Sequence, residues 1–467
     1  MNQKEIVKKL TSHGCLVEPD AADCLNERHL DAIEEMNPKP MVVNSAFLKR
    51  VEENPPSERS DLSSIDTDVK VLKHYEGNQR EIDVEDFVSY YNDRFVKMKD
   101  LLTNRMELSN SVSIDRMDSV SGDGLSIIGM VIDKYKTSSG KWIVNIEDDT
   151  GDTKLLVEED EGERIVGDEV IGVSGTLGDD IIFADEIVRP DVPLTRDITT
   201  TEEEVYAVFT SDFHFGSIDT LCDKADKLIE WLKSDEEVAS KVGYLFINGD
   251  IVEGVGNYPG QEDELEVMDI YKQYERFEEF VKKIPSDVQV IVTPGNHDFV
   301  RMAEPQPPLP EELFDDIYDY ENVYFVSNPS LIEIHGFDSE GLEVLMYHGY
   351  SFDNHVDAIP DLRDKAYDDP TVAMVDMLKR RHLAPTFGSN LLSPEDEDLL
   401  VIEEVPDVFV IGHTHGFSVD NYKGINLISS GTMQSQTSFQ KRMGHKPDPG
   451  IVGVVNLETR DTFVKEL

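Results

Sequence analysis

The chain has 467 residues, 39% of them apolar, too long for one core and rich enough in apolar residues for ordinary globular packing. Asp and Glu number 96 against 43 Lys and Arg, a formal net charge of −53 that is spread along the chain rather than gathered in a tail. No apolar run reaches membrane-span length, MNQKEIVKKL lacks the apolar stretch of a signal peptide, and Cys15, Cys24 and Cys222 form neither a CxxC pair nor a disulfide framework.

These features lead us to expect a cytoplasmic protein with reduced thiols and no membrane contact. Such distributed acidity resembles the proteome of salt-loving archaea, where molar salt screens self-repulsion to within about 3 Å. Most nucleic-acid binders are basic. At molar salt, however, phosphate contacts give little affinity, so local basic patches decide more than the sum.

Residues 1–36 read as a small helical unit. Ile6, Val7 and Leu10, then Ala21, Ala22 and Leu25, then Leu30 and Ile33 fall at helical spacing, and Asp20 after Pro19 is a candidate cap. Residues 37–66 contain NPKP and NPPSERSD, lose periodicity and read as a flexible linker. Residues 67–198 read as an OB-type β-barrel with a preceding helix near Val84–Leu108. Five short strands follow that helix, in LSIIGMVIDKY, KWIVNIEDD, TKLLVEE, EVIGVSGTL and DIIFADEIV, punctuated by Gly140, Gly151, Gly167 and Gly178. Tyr135, Trp142 and Phe183 offer stacking surfaces but few cations accompany them, leaving DNA contact and protein docking both open for this barrel.

Residues 199–467 alternate strands and helices. The strands VYAVFTSD, YLFINGD, VQVIVTPGN, LEVLMYH, DVFVIGH and INLISSG are near-continuous apolar runs, as expected where helices cover a sheet. Helices are expected at Lys224–Leu232 and Tyr271–Lys283.

Metal-ligand residues follow five of these strands: Asp212 and His214; Asp250; Asn296, His297 and Asp298; His348; and His413 and His415. The carboxyl edge of an α/β sheet is where sites are built. Two Asp, one Asn and four His at 212, 214, 250, 296, 348, 413 and 415 are hard-to-borderline donors with no thiol, which suits Mn²⁺, Fe or Zn²⁺. Seven donors exceed what one ion with open positions takes. They suit two ions sharing a carboxylate, an arrangement that clamps the attacking and leaving oxygens of a phosphoryl displacement.

The pattern DxH, GD, GNHD, H, GHTH over about residues 205–435 resembles the calcineurin-like metallophosphoesterase superfamily. That resemblance implies a two-sheet sandwich with flanking helices, preceded here by the barrel and the helical unit: an α/β plus β chain overall. It implies that Asp212, His214, Asp250 and His415 hold one metal, that Asp250 bridges, and that Asn296, His348 and His413 hold the other. It implies that His297 acts at the scissile phosphate, with Asp298 orienting it. Mn²⁺ is the implied ion, with Mg²⁺, Fe or Zn²⁺ as alternatives.

A closer resemblance sets the expected substrate. The order helical unit, linker, barrel, phosphodiesterase is similar to the small subunits of archaeal family D DNA polymerases. So are the stretches GDIVEGVGNYPGQEDEL, LRDKAYDDPTVAMVDMLKRRHLAP and TMQSQTSFQKRMGHKPDPG. This resemblance implies a proofreading 3′–5′ exodeoxyribonuclease acting in DNA replication. Its implied partners are a large polymerising subunit in a heterodimer or higher assembly, DNA with a 3′ end, and a sliding clamp. A standalone repair nuclease, a non-catalytic replication scaffold and a phosphoprotein phosphatase are the competing readings.

Outside the donor set, the loop Glu253–Glu264 follows Asp250 directly and is read either as shaping substrate entry or as ordinary surface. Arg363, Lys365, Lys379, Arg380, Arg381 and His382 form the densest cationic stretch, a candidate DNA-phosphate or subunit contact. Gln440, Lys441 and Arg442 raise the same question. His335, His355 and His445 are read as non-ligands, and His13, His29 and His74 as structural.

Overall fold

The computed structural model describes residues 3–12, 15–22, 24–26, 29–30, 33, 42–45, 47–49, 66–77, 81–120, 124–337 and 340–467. His13 and most of the expected linker lie outside the described residues.

Helix Gln3–Ser12 turns Ile6 and Leu10 inward, one turn apart, onto Cys15, Ala21, Leu25, Leu30 and Ile33. The same core takes in Val43 and Leu48 from the stretch read as linker, and Val42–Val43 pairs in parallel with Leu16–Val17. Apolar side chains this sparse need every available partner, so a polar-looking segment is drawn into the unit.

Strand Val69–Lys73 corrects the barrel boundary expected at residue 67. It pairs antiparallel with Ser330–Ile334 and forms the edge of a distant sheet. A strand's partner is set by which edge stands open, and the local pattern VKVLK says nothing of that.

Helix Val84–Thr103 begins in a reciprocal capping box between Asp83 and Asp86. It ends short of the expected Leu108, with Met106–Leu108 continuing as a 3₁₀ turn. Phe95, Met98 and Leu102 pack on Ile128, Val170 and Val188 of the barrel and on Val401.

Five strands close the barrel in the order Leu125–Lys136, Trp142–Asp148, Gly151–Val157, Ile182–Val188, Val170–Leu177. Alternate residues such as Leu125, Ile127, Val144, Ile146, Leu155, Ile171 and Val173 fill it. Tyr135 and Phe183 are exposed, while Trp142 lies half-buried beneath the Lys134 ammonium, 4.6 Å from its ring centre.

The remainder forms two stacked six-stranded sheets. The first runs Val323–Phe325, Gln289–Thr293, Val242–Asn248, Tyr206–Thr210, Ile451–Asn456, Thr462–Glu466. The second runs Phe417–Tyr422, Ile425–Ser430, Val408–Ile411, Leu342–Met346, Ser330–Ile334, Val69–Lys73. Period-two alternation divides each strand between two cores. Tyr244 and Phe246 point between the sheets with Phe209, Ile291, Val344 and Val410. Leu245 and Ile247 point outward, under helices Cys222–Leu232 and Ile270–Val281. Helices Phe352–Ala358 and Thr371–Arg380 cover the second sheet through Phe352, Met374 and Met377 on Phe409 and Leu427. Both faces of each central strand are therefore apolar, and polar side chains gather where strands end.

Among the described residues, no helix is long and apolar enough to cross a membrane.

Candidate metal centre

The loops after Thr210, Asn248, Thr293, Met346 and Ile411 converge on one point between the sheet edges. Two donor clusters meet there, Asp212 with His214 and His415, and Asp250 with His348 and His413. His214 Nε2 lies 3.1 Å from His415 Nε2, and His415 Nε2 lies 3.3 Å from Asp212 Oδ1. His348 Nε2 lies 3.1 Å from Asn296 Oδ1. Asp250 Oδ2 stands between the clusters, 3.8 Å from His214 Nε2 and 3.4 Å from His348 Nε2. All seven residues expected from the motif pattern are thus brought together.

The backbone is bent to achieve this. Asp212, His214, Asp250, His413 and His415 all have φ between 48° and 62°, a region that costs a non-glycine residue about 1–3 kcal/mol. A sharp left-handed turn after Thr210, after Asn248 and after Ile411 aims these side chains back over the sheet edge. Gly295 completes the packing, since a Cβ there would collide with the Asp250 carboxylate.

Hydrogen bonds hold the donors in orientation. His348 Nδ1 lies 2.9 Å from the Asn248 carbonyl, which only accepts, so Nδ1 donates and Nε2 is left for ligation. Asp250 Oδ1 accepts from the His297 backbone at 2.8 Å, leaving Oδ2 for the clusters. Asp212 Oδ2 accepts from the His413 backbone at 3.0 Å, while its Oδ1 is fully buried without a hydrogen-bond partner. Burial opposes ionisation of Asp250, but His348, His297 and His214 hold its carboxyl well below the usual carboxylate range. Burial likewise opposes charge on His214, and the Glu253 carboxylate outweighs it, raising the imidazole to about 9.

Sequence reasoning does not single out Glu253 as a site residue. It is buried, with one carboxylate oxygen 3.0 Å from His214 Nδ1 and its carbonyl 2.9 Å from His297 Nδ1. Gln434 donates to the same carboxylate at 3.0 Å. Its only sequence signal is an acidic residue three places after the Gly249–Asp250 pair.

His297 lies at the mouth of the centre, its ring 4.8 Å from that of His214. The expectation that Asp298 orients it is corrected. Asp298 is buried and accepts from the backbones of Gly295 (2.8 Å), Ile251 (3.3 Å) and Val252 (3.3 Å) and from the Tyr274 hydroxyl (3.2 Å). It ties two site loops together, and the Glu253 carbonyl orients the histidine. Burial and the nearby Asp250 charge push the Asp298 carboxyl up to about 7.

The cationic stretch is corrected as well. Arg380 is fully buried, paired with Glu169 and, at 2.6 Å, with Asp376. Arg381 is buried and donates to the carbonyls of Ile402 (2.7 Å) and Glu403. These guanidiniums bind the helix to the barrel and to its own domain, because a buried charge must be paired or fully hydrogen-bonded. Arg363 and Lys365 are exposed, and Arg363 donates to the Asp357 carbonyl. None of the four lines the cavity at the centre.

That cavity, of about 670 Å³, opens above His214, Asp250, His297 and His415. One wall is the loop after Asp250, through Tyr258, Pro259, Asp263 and Glu264. The lining also includes a second segment, with Thr437, Phe439, Gln440, Arg442 and Lys446. His445 also lines it without joining a donor cluster. His355 pairs with Asp376 at 2.9 Å, and His335 bonds the Tyr244 hydroxyl at 3.2 Å. His29 and His74 each accept a backbone N–H through Nδ1.

Residues 207–419 match the family model for the B subunits of DNA polymerases alpha and epsilon. The chain is 42% identical over 388 residues to the DNA polymerase II small subunit of Halobacterium salinarum, covering 81% of this chain and 74% of that protein. It is 36% identical over 479 residues to the protein of the same name from Archaeoglobus fulgidus, covering 96% and 95%. Among solved structures, an archaeal phosphodiesterase aligns at 16% identity with a TM-score of 0.28, over 56% of this chain and all of that one.

Proposed function

The chain belongs to the family of DNA polymerase II small subunits, those of the archaeal family D polymerases, and on that premise we propose that its donor clusters hold two divalent ions and hydrolyse DNA stepwise from the 3′ end. Family membership implies a separate large catalytic subunit as partner. The observation that carries the proposal is the shared position of the Asp250 carboxylate between two buried donor clusters.

The residues fit such ions. A buried Asp212 oxygen lacks a hydrogen-bond partner, imidazole nitrogens converge to 3.1 Å, and the set contains no thiol. Asp212, His214 and His415 would hold one ion, Asn296, His348 and His413 the other, with Asp250 common to both. The donor set suits Mn²⁺, Fe or Zn²⁺; Mn²⁺ is the ion that the family resemblance implies, with Mg²⁺ a further alternative. Two ions so held supply Lewis acidity toward water and phosphoryl oxygens.

The protein supplies positioning and proton control. His297 Nδ1 faces the Glu253 carbonyl at 2.9 Å and must donate to it, which frees Nε2 to hold or give a proton at the leaving 3′ oxygen. The Glu253 carboxylate fixes the His214 ring. The strand order of the closed barrel supports an OB-type module, for which DNA, the large subunit and a sliding clamp are the candidate partners.

The test is digestion of 5′-labelled single-stranded and mismatched primer DNA in high KCl with Mn²⁺, by the full chain alone and with its large subunit. Stepwise 3′ shortening is expected, lost in Asp250→Ala and reduced about 10²–10⁴-fold in His297→Ala. Intact DNA in every wild-type reaction would leave a scaffold as the better reading.

A further inference from the structure

The wall of the cavity formed by residues 437–446 has a composition unlike the rest of the chain. No Asp or Glu occurs between Asp420 and Asp448, although acidic residues make up 96 of 467 positions overall. Within that acid-free stretch stand Lys441, Arg442, His445 and Lys446. In the other cationic stretch Arg380 is neutralised by Glu169 and Asp376, and Arg381 is spent on backbone carbonyls. By contrast, Arg442 and Lys446 are exposed, line the cavity and carry no ion pair among the described residues.

The wall is anchored to the metal centre itself. Thr437 and Gln440 form a reciprocal capping box that starts the short helix Ser438–Met443. The Gln440 amide then reaches His415 Nδ1 at 2.9 Å, and the Asp448 backbone donates to the His415 carbonyl at 2.8 Å. The His445 ring rests on Tyr367, centroids 5.2 Å apart. The segment that carries these cations is therefore tied to the candidate centre.

Beside these cations, Phe439 is 54% exposed and lines the same cavity, as does Tyr258. A phenyl ring on a cavity wall offers a stacking face, and a flanking guanidinium and ammonium favour an anionic occupant. A nucleobase with its attached phosphates satisfies both requirements: the base stacks on the ring and the phosphates pair with the cations.

We propose that residues 437–446 form the strand-holding wall of this centre, with Phe439 stacking a base of single-stranded DNA and Arg442 and Lys446 pairing phosphates beside the scissile one. This deepens the exonuclease reading and rests on it, naming the residues that hold the substrate strand. A duplex end would have to fray before entering, because stacking on Phe439 needs an unstacked base.

The test separates binding from cleavage. Binding of a fluorescent oligodeoxythymidylate by the full chain is followed by anisotropy in EDTA across a KCl series, where no hydrolysis occurs. Phe439→Ala is expected to weaken binding about tenfold. Arg442→Ala/Lys446→Ala is expected to make the slope of log affinity against log salt shallower by about 1.4, two single-strand phosphate contacts. Lys227→Ala/Lys283→Ala, a charge-matched change at residues that do not line the cavity, is expected to follow the wild type. Wall variants that bind like the wild type would overturn the proposal even if the exonuclease is active, as would a wild type that binds no DNA. Impaired binding by the wall variants, with no nucleotide released by the wild type in Mn²⁺, would uphold the wall and remove the exonuclease reading.

Discussion

Removing the Arg94 guanidinium should unfasten the helix Val84–Thr103 from the two-sheet domain. The side chains of Arg94 and Asp398 are 1% and 0% exposed, with Nε 2.6 Å from Oδ2. Arg94 also donates to the carbonyls of Pro385 (2.5 Å) and Asp168 (3.1 Å), so one side chain joins the helix, the barrel and the site-bearing domain. Arg94→Ala leaves Asp398 buried with its bonds from Tyr90 (2.7 Å), His382 (2.9 Å) and Leu400 (3.0 Å) but no fixed positive charge. Breaking a buried pair this way costs about 3–5 kcal/mol, a large part of a domain's margin of about 5–15 kcal/mol. Urea unfolding at constant KCl, followed by tryptophan fluorescence and circular dichroism, reads the loss. The double variant Arg94→Met/Asp398→Asn should cost less than the sum of the single changes, by about 1–3 kcal/mol. Because the pair is out of solvent, the effect should persist at molar KCl, unlike that of the half-exposed pair Arg164–Asp361. A cost below about 1 kcal/mol for Arg94→Ala, or strict additivity, would refute the argument that this charge cluster acts as a unit.

Four further outcomes are expected. Glu253→Gln should lower Mn²⁺ affinity or turnover about 10–100-fold, read by titration calorimetry and nuclease assay, because it orients His214 without contacting substrate. Gly295→Ala should abolish metal retention measured by elemental analysis while far-ultraviolet circular dichroism stays native, since the new Cβ displaces the Asp250 carboxylate. Mn²⁺ at about 100 times its Kd should stabilise the wild type by about 2.7 kcal/mol in thermal scans, and Asp250→Ala should show no such shift. Burial, with help from Arg94, holds His382 down to about 4. A folded pKa below the unfolded 6.5 means that this stability is fully present above pH 6.5 and is lost as pH falls toward 4. The gap is worth at most about 3 kcal/mol, and His382→Gln should flatten that part of the pH–stability curve.

Much of this protein was legible without coordinates. Runs such as YLFIN and VQVIVT, short, rich in β-branched and aromatic residues and followed by Gly or Pro, read as strands apolar on both faces, and a donor after each lands on one sheet edge. That is why seven scattered residues could be assembled into one centre: strand ends are the places where such a sheet has polar groups to spare. Barrel strands were equally readable, because period-two alternation and glycine punctuation are local signals.

Pairings between distant segments were not readable. Nothing in VKVLK says that Val69–Lys73 will close the edge beside Ser330–Ile334, and nothing in residues 37–66 says that Val43 and Leu48 will enter the first core. The cationic stretch misled for a related reason. Arg380 and Arg381 look like phosphate ligands until Glu169, Asp376 and the carbonyls at 402 and 403 arrive from elsewhere to bury them. Asp298 adjoins His297 in sequence but faces the other way, and Glu253, forty-four positions before the histidine, takes its place. Residue types and their period are properties of the chain alone. Which charge meets which partner depends on a through-space distance of about 3 Å, and only the tertiary fold sets that distance.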